Sequence, residues 1–118
     1  MEIVQISDDD YVFRRVPINP SYIKSDGSIT SYAFCKKRDE DGLSVDLERL
    51  TSPETTILDK SRFRLRRINA GIVRNVINDG LDVIHDPVEG NSAHSLITGN
   101  ITGSKQKQLV KHSEDLFL

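Results

Sequence analysis

Residues 62–87 read RFRLRRINAGIVRNVINDGLDVIHDP, and this stretch decides the fold class. Its first part, residues 62–68, alternates as a strand does. Asn69 is a good helix cap, and Ile72, Val73, Val76 and Ile77 then recur at helical spacing over residues 70–79. Gly80 suits the left-handed turn that ends many helices. Residues 81–85 return to strand, closed by Asp86-Pro87. Strand, helix, strand predicts a parallel crossover unit.

Working outward, residues 11–16 alternate, with Val12, Arg14 and Val16 on one side and Tyr11, Phe13 and Arg15 on the other. Residues 29–35 read as a second strand carrying Tyr32 and Phe34. Leu43, Val45 and Leu47 point inward from a third, leaving Ser44 and Asp46 outward. Ser52-Pro53 opens a short helix ending near Asp59. Residues 93–98 form another strand, and a helix over residues 104–117 offers Leu109, Val110, Leu116 and Phe117 to the core. The pattern predicts one α+β domain over residues 1–118: a mixed β-sheet of about five strands packed against two longer helices, with one β-α-β unit near residues 62–86.

The chain has 118 residues, 36% hydrophobic and 29% charged, with a net charge of −2. That bulk charge does not mark a nucleic-acid binder. No apolar run approaches the roughly 20 residues of a membrane span. MEIVQISDDD has neither a basic opening nor a long apolar stretch, so no secretory signal is expected. The single cysteine, Cys35, excludes an internal disulfide framework and a multi-cysteine zinc site. A reducing, cytoplasmic setting is the simplest expectation.

Three groups of residues suit chemistry. The first is Lys60, Arg62, Arg64, Arg66, Arg67 and Arg74, with no acid between Asp59 and Asp79. On a strand, Arg62, Arg64 and Arg66 would share a face at about 7 Å intervals, a spacing that suits successive phosphates. The strand runs into a helix start at Asn69-Ala70-Gly71, where free N–H groups favour an anion. The structural alternative is a solvated face paired with acids such as Asp39, Glu40 and Asp41. The second group is His85, Asp86, Asn91 and His94. It would suit a divalent metal, although its spacing matches no standard zinc motif. Alternatively His94 acts as a general base oriented by Asp86 or Asp46, or simply ties down a loop. The third is Arg14, Arg15, Ser31, Ser44 and Asp46, lining a polar pocket on the open sheet face, or else forming surface ion pairs. Tyr22, Tyr32 and Phe34 would stack a base or fill the core.

FRRVP, PSYIK, DGSITSYAF, DGLSVD, AGIVRNVINDGLDVIHDP and NSAHSLITG, taken in order, resemble a family of small, uncharacterised bacterial proteins. The resemblance spans residues 11–99. It marks Arg14, Arg15, Ser31, Phe34, Leu43, Ser44, Asp46, Asp86, Pro87, Asn91, Ala93 and His94. Ser92 stands where the family has proline, and RFRLRRI is more basic. The resemblance implies a bacterial, cytosolic, single-domain protein working beside another gene product, and it carries no activity.

The sequence thus predicts an accessory module that docks on a larger protein partner, or on nucleic acid or another phosphate ligand, and not on a membrane. The binding residues would be Arg14, Arg15, Arg62, Arg64, Arg66, Arg67, Asn69, Arg74 and Asn91. The alternative is a small enzyme or nucleotide-binding protein built on Arg14, Ser44, Asp46, Asn91 and His94, with His94, Asp46 and Ser44 catalytic. No metal and no cofactor are assigned.

Overall fold

A computed structural model describes residues 2–117. Among these, six strands form one sheet: β1 (Tyr11–Pro17), β2 (Leu43–Leu47), β3 (Phe63–Asn69), β4 (Asp82–His85), β5 (His94–Thr98) and β6 (Glu114–Leu116). The spatial order is β4-β5-β2-β1-β3-β6. All neighbours are antiparallel. The fold is α+β as expected, but the sheet is antiparallel and not mixed. β3 and β4 do run in the same direction, since four reversals separate them, yet β5, β2 and β1 lie between. The reason is occupancy. β3 is paired along its whole length with β1 on one side and holds β6 on the other. β4 pairs instead with β5, its neighbour in the chain.

Three helices complete the fold: α1 (Pro53–Ile57), α2 (Ala70–Ile72) and α3 (Gly103–His112). α1 starts as its sequence predicts, with Ser52 accepting from the Thr55 N–H. α2 is capped by Asn69, whose Oδ1 accepts from Ile72 N at 2.9 Å. It then widens into a π-type turn over Val73–Ile77 and stops at Asn78, Asp79 and Gly80, all at positive φ. The predicted last helix is shorter than expected. Arg66 donates to the carbonyls of Val110 and Ser113, taking up acceptors that a further turn would need. The chain then leaves as β6. The expected strand at residues 29–35 is a 3-10 turn, Ser31–Phe34, which buries Ala33 and Phe34.

The larger core lies on the helix side of the sheet, where Val12, Val16, Leu43, Val45, Leu47, Ile68 and Ile97 meet Phe34, Val73 and Leu109. A second, smaller core lies on the other face: Phe13, Ile57 and Leu65, flanked by Phe63 and Leu116. It is α1 that supplies Ile57, so α1 covers the β1–β3–β6 half of that face. The β2–β5 half carries Ser44, Asp46 and His94 and stays open. No described helix is long and apolar enough to cross a membrane.

Gly80 and Gly99 test how the turn after α2 packs. Gly80 has φ +83° and open space around its missing Cβ. Gly99 has φ +112°, and a Cβ there would stand 2.7 Å from the Gly80 carbonyl oxygen. Gly80→Ala should cost about 1–2 kcal/mol. Gly99→Ala adds a backbone clash and should cost about 3 kcal/mol or more. Urea unfolding of the two variants checks the order.

Candidate functional site

The arginine cluster does not form a free face. Arg64 and Arg66 leave β3 on the helix side, and both reach Asp115 of β6. Arg66 also donates to Ser113 Oγ at 2.9 Å. Arg67 leaves on the opposite side. It grips Glu48 through two nitrogens at 2.5 and 2.9 Å, reaches Glu114 at 3.3 Å, and lies 3.6 Å over the Tyr11 ring. The Glu48 bonds hold its pKa above the usual arginine value, against partial desolvation. Arg74 bridges Asp82 at 2.8 Å and Asp8 at 3.0 Å. Arg62 precedes β3 and lies 5.6 Å from the Phe63 ring, while Lys60 sits over Phe117. Arg64 and Arg66 therefore share a face as expected, but both are tied to Asp115, and Arg67 and Arg74 point elsewhere, so no free row of guanidinium groups forms. The paired acids are Glu48, Glu114, Asp115, Asp8 and Asp82, not Asp39, Glu40 and Asp41.

The expected anion site at the start of α2 is also occupied, and by the chain itself. Ala70 N donates to Asp10 O, Gly71 N to Asp8 O and Ile72 N to Asn69 Oδ1. Gly71 admits a close backbone, but that backbone is Asp8, whose oxygen would stand 2.7 Å from an added Cβ. Asn69 is thus a cap rather than a ligand.

The second and third groups divide by strand parity. His85 and His94 lie on opposite faces. His85 is buried between Val4 N at 2.9 Å and Ser92 O at 2.7 Å, so the two imidazoles do not converge on one ion. Arg14 and Arg15 separate in the same way. Arg14 leaves β1 beside Val12 and Val16, where its Nε donates to Ala33 O and its Nη1 to Ser44 O. Burial pushes its pKa below the usual arginine value, with Glu40 acting in the opposite sense. Its head is thus a tie between main-chain carbonyls on the helix side, although Arg14 also borders the open-face cleft. Tyr22 and Tyr32 pack against each other at 5.1 Å, and Phe34 is core.

What remains converges. A cleft of about 260 Å³ opens on the uncovered half of the sheet, lined by Arg14, Arg15, Ser44, Asp46, Asn91 and His94 with Phe13, Pro17, Val45, Leu58 and Phe63. Register explains the polar set. Phe13 pairs with Asp46, and Asp46 with His94, so the three share a face. Arg15 and Ser44, each two residues along, share it too.

The cleft holds two polar networks. In the first, Asn91 Oδ1 accepts from Ala93 N at 3.1 Å, which orients the amide. Asn91 Nδ2 then donates to Asp46 Oδ1 at 2.8 Å. Arg15 Nη1 lies 3.5 Å from Asp46 Oδ2 and donates to Thr56 O at 3.0 Å. In the second, Ser44 Oγ lies 3.3 Å from His94 Nε2. His94 Nδ1 lies 2.8 Å from the Asp86 carbonyl oxygen and 3.4 Å from its carboxylate. A carbonyl only accepts, so Nδ1 carries a proton, and in the neutral imidazole Nε2 presents its lone pair to the Ser44 hydroxyl.

Of the three residues expected to be catalytic, Ser44 and His94 therefore meet. Asp46 does not orient His94, although it is His94's partner in the ladder; its oxygens turn to Asn91 and Arg15. Asp86, the other orienting partner the sequence offered, takes that place. The sequence reading missed Leu58, Pro17 and Phe63, which form the apolar wall, because nothing in their spacing links them to β2 or β5. Comparison with protein-family models, with curated proteins and with solved structures finds no match.

The internal pairing of the arginines has a pH signature. Partial burial raises the pKa of Asp82, but hydrogen bonds from Arg74 and Val83 N outweigh it and hold the carboxyl below its ordinary 3.8. Asp10 is likewise held low, partial burial being outweighed by Ser7 and Arg49. A depressed carboxyl stabilises the fold fully above its unfolded pKa and loses that contribution as pH falls through the folded one. Asp82→Asn should cost up to about 1 kcal/mol at pH 7, since the pair is solvent-screened, and the difference from wild type should shrink as pH falls below 3.8. Thermal unfolding of both proteins across that range checks it.

Proposed function

We propose that the open-face cleft is the active site of a small hydrolase acting on an ester bond, with Ser44 as nucleophile, His94 as general base and Asp86 as the group that orients His94. The observation that carries this reading is the Ser44 Oγ–His94 Nε2 approach at 3.3 Å, with Nδ1 tied to Asp86 on the far side of the ring. Nucleophile, base and orienter in that relation are what acyl transfer by a hydroxyl requires.

The steps follow from the geometry. Ser44 Oγ attacks the ester carbonyl carbon as its proton passes to Nε2. The imidazolium so formed is stabilised by the Asp86 carbonyl and carboxylate. The carbon–oxygen bond to the alcohol then breaks, and Nε2 returns its proton to the departing oxygen. Water attacks the acyl–Ser44 ester, giving one proton to Nε2, and the acid leaves as Ser44 recovers that proton. Arg15, set by Thr56 and Asp46, is the cationic side chain in the cleft and would face negative charge on the substrate oxygen. The volume of about 260 Å³ suits a small substrate.

This reading is preferred to docking on nucleic acid or a protein partner through the basic segment, because the heads of Arg64, Arg66, Arg67 and Arg74 are already engaged within the fold. The unpaired Cys35 is in keeping with a cytoplasmic setting, and the motif resemblance with a bacterial one.

Ser44→Ala and His94→Ala should each lower kcat on 4-nitrophenyl acetate by at least about 100-fold. Both should leave the unfolding midpoint nearly unchanged, as neither side chain belongs to a core. Asp86→Asn should lower kcat by only about tenfold, because the nearer contact to His94 is the main-chain carbonyl that the variant keeps. Diisopropyl fluorophosphate should add one phosphoryl group, on Ser44. Wild-type turnover in the Ser44→Ala protein would overturn the assignment.

A further inference from the structure

Leu58 is an anomaly in packing and in backbone. It is a leucine at 68% exposure, and it follows α1 at φ 64°, ψ −60°. That is the centre of a tight γ-turn, closed by Asp59 N donating to Ile57 O at 2.7 Å. L-residues other than glycine adopt this conformation at a cost, and it persists only where the surroundings over-determine it. Here they do. Asp59 Oδ1 accepts from both Ser61 N and Ser61 Oγ, and Asp59 O accepts from Arg62 N and Phe63 N. The turn is thus locked into the start of β3, while its bulky apolar side chain is left in water.

A strained, exposed leucine gains nothing for the fold, and glycine would fit the backbone better. Leu58 does, however, line the same cleft as Ser44 and His94, next to Pro17 and Phe63. The cleft therefore has a polar floor and an apolar wall, and Leu58 is the exposed part of that wall.

We infer that Leu58 is a specificity-determining residue that receives an apolar acyl group, so that the substrate class is an alkanoyl ester with a chain longer than acetyl and not a highly polar one. The acyl assignment rests on the hydrolase reading. In that mechanism the alcohol departs after the first step, while the acyl group stays on Ser44 until water arrives. A permanent wall beside the nucleophile serves the part that stays. Burying methylenes against Leu58 would favour longer chains, up to the limit set by the cleft.

Two measurements on the full chain test this. In the first, kcat/KM is compared for 4-nitrophenyl butyrate and 4-nitrophenyl acetate. Wild type should prefer butyrate, and Leu58→Gly should reduce the butyrate-to-acetate ratio about tenfold. The same variant should unfold at an equal or higher urea concentration. A leucine that merely packs the end of α1 would instead lower that midpoint and leave the ratio unmoved, and this result would overturn the inference. The second measurement does not depend on turnover: hexanoate and acetate are titrated while the Leu58 methyl resonances are followed. Hexanoate should bind more tightly and shift those methyls, and Leu58→Gly should abolish the preference. Equal binding of the two acids by wild type, or a preference kept in the variant, sinks the apolar wall even if ester hydrolysis is found. A Leu58-dependent preference without Ser44-dependent turnover sustains the wall and removes the hydrolase.

Discussion

The register of β2 is the constraint on which the rest depends. Leu43, Val45 and Leu47 are buried in the larger core, and the strand sits inside the sheet with β1 on one side and β5 on the other. Each such side chain contributes about 1.5–3 kcal/mol through burial. A slip of one residue would send all three to the opposite face and draw Ser44 and Asp46 into the core. Ser44 and Asp46 are therefore held on the open face by the side chains that alternate with them. The β2–β5 ladder then fixes His94 beside them, and the β1–β2 ladder does the same for Arg15.

Charge is spent mostly inside the molecule. β3 sends two arginines to one face of the sheet and one to the other: Arg64 and Arg66 fasten β6 through Asp115, and Arg67 ties Glu48, which follows β2, to Glu114 of β6. Arg66 also donates to the carbonyl of Val110 in the last turn of α3 and to that of Ser113 just after it, so one guanidinium both ends a helix and anchors the strand after it. Arg74 joins the N-terminal Asp8 to Asp82 of β4. These are short tethers between segments far apart in the chain, and they account for a basic run in a protein whose net charge is −2. A run of arginines on a strand has the same appearance in sequence whether its partners are phosphates or distant carboxylates.

That ambiguity shows where the sequence was readable and where it was not. Local signals carried through: the alternation of β1 and β2, and the caps at Ser52 and Asn69; of the expected stripe, Val73 and Ile77 meet the core while Val76 is exposed by the π-type turn. Each depends on residues within a few positions of one another. The pairing of β3 with β1 and β6, and the shortening of α3, depend on partners 44 or more positions apart and had no local mark. The head of Arg14 was misplaced for another reason. β1 carries buried residues on both faces, Val12 and Val16 on one and Phe13 on the other. Alternation separated Arg14 from Arg15, but it could not tell which of the two would meet the open half of the sheet. Asp46 failed at a finer level still, since a shared rung of a ladder fixes a backbone and not the direction of a carboxylate.

The exchange of Asp46 for Asp86 also alters how the base would be set. A carboxylate beside an imidazole acts through its charge, which solvent and protonation can both remove. The nearer partner of His94 is a main-chain oxygen, which neither titrates nor rotates away. It lies on a loop whose ends are pinned by the β4–β5 ladder and by the Asp86 N–His94 O bond at 2.9 Å. Proton placement on Nδ1 is thus a property of the backbone, and the lone pair on Nε2 follows from it. The Asp86 carboxylate, half exposed and farther off, can only add to an orientation already fixed. Ser44 is held from the other side with the same rigidity, by a strand that cannot shift. The two atoms that would exchange a proton are in this way set by separate backbone constraints, and no side-chain network has to form first.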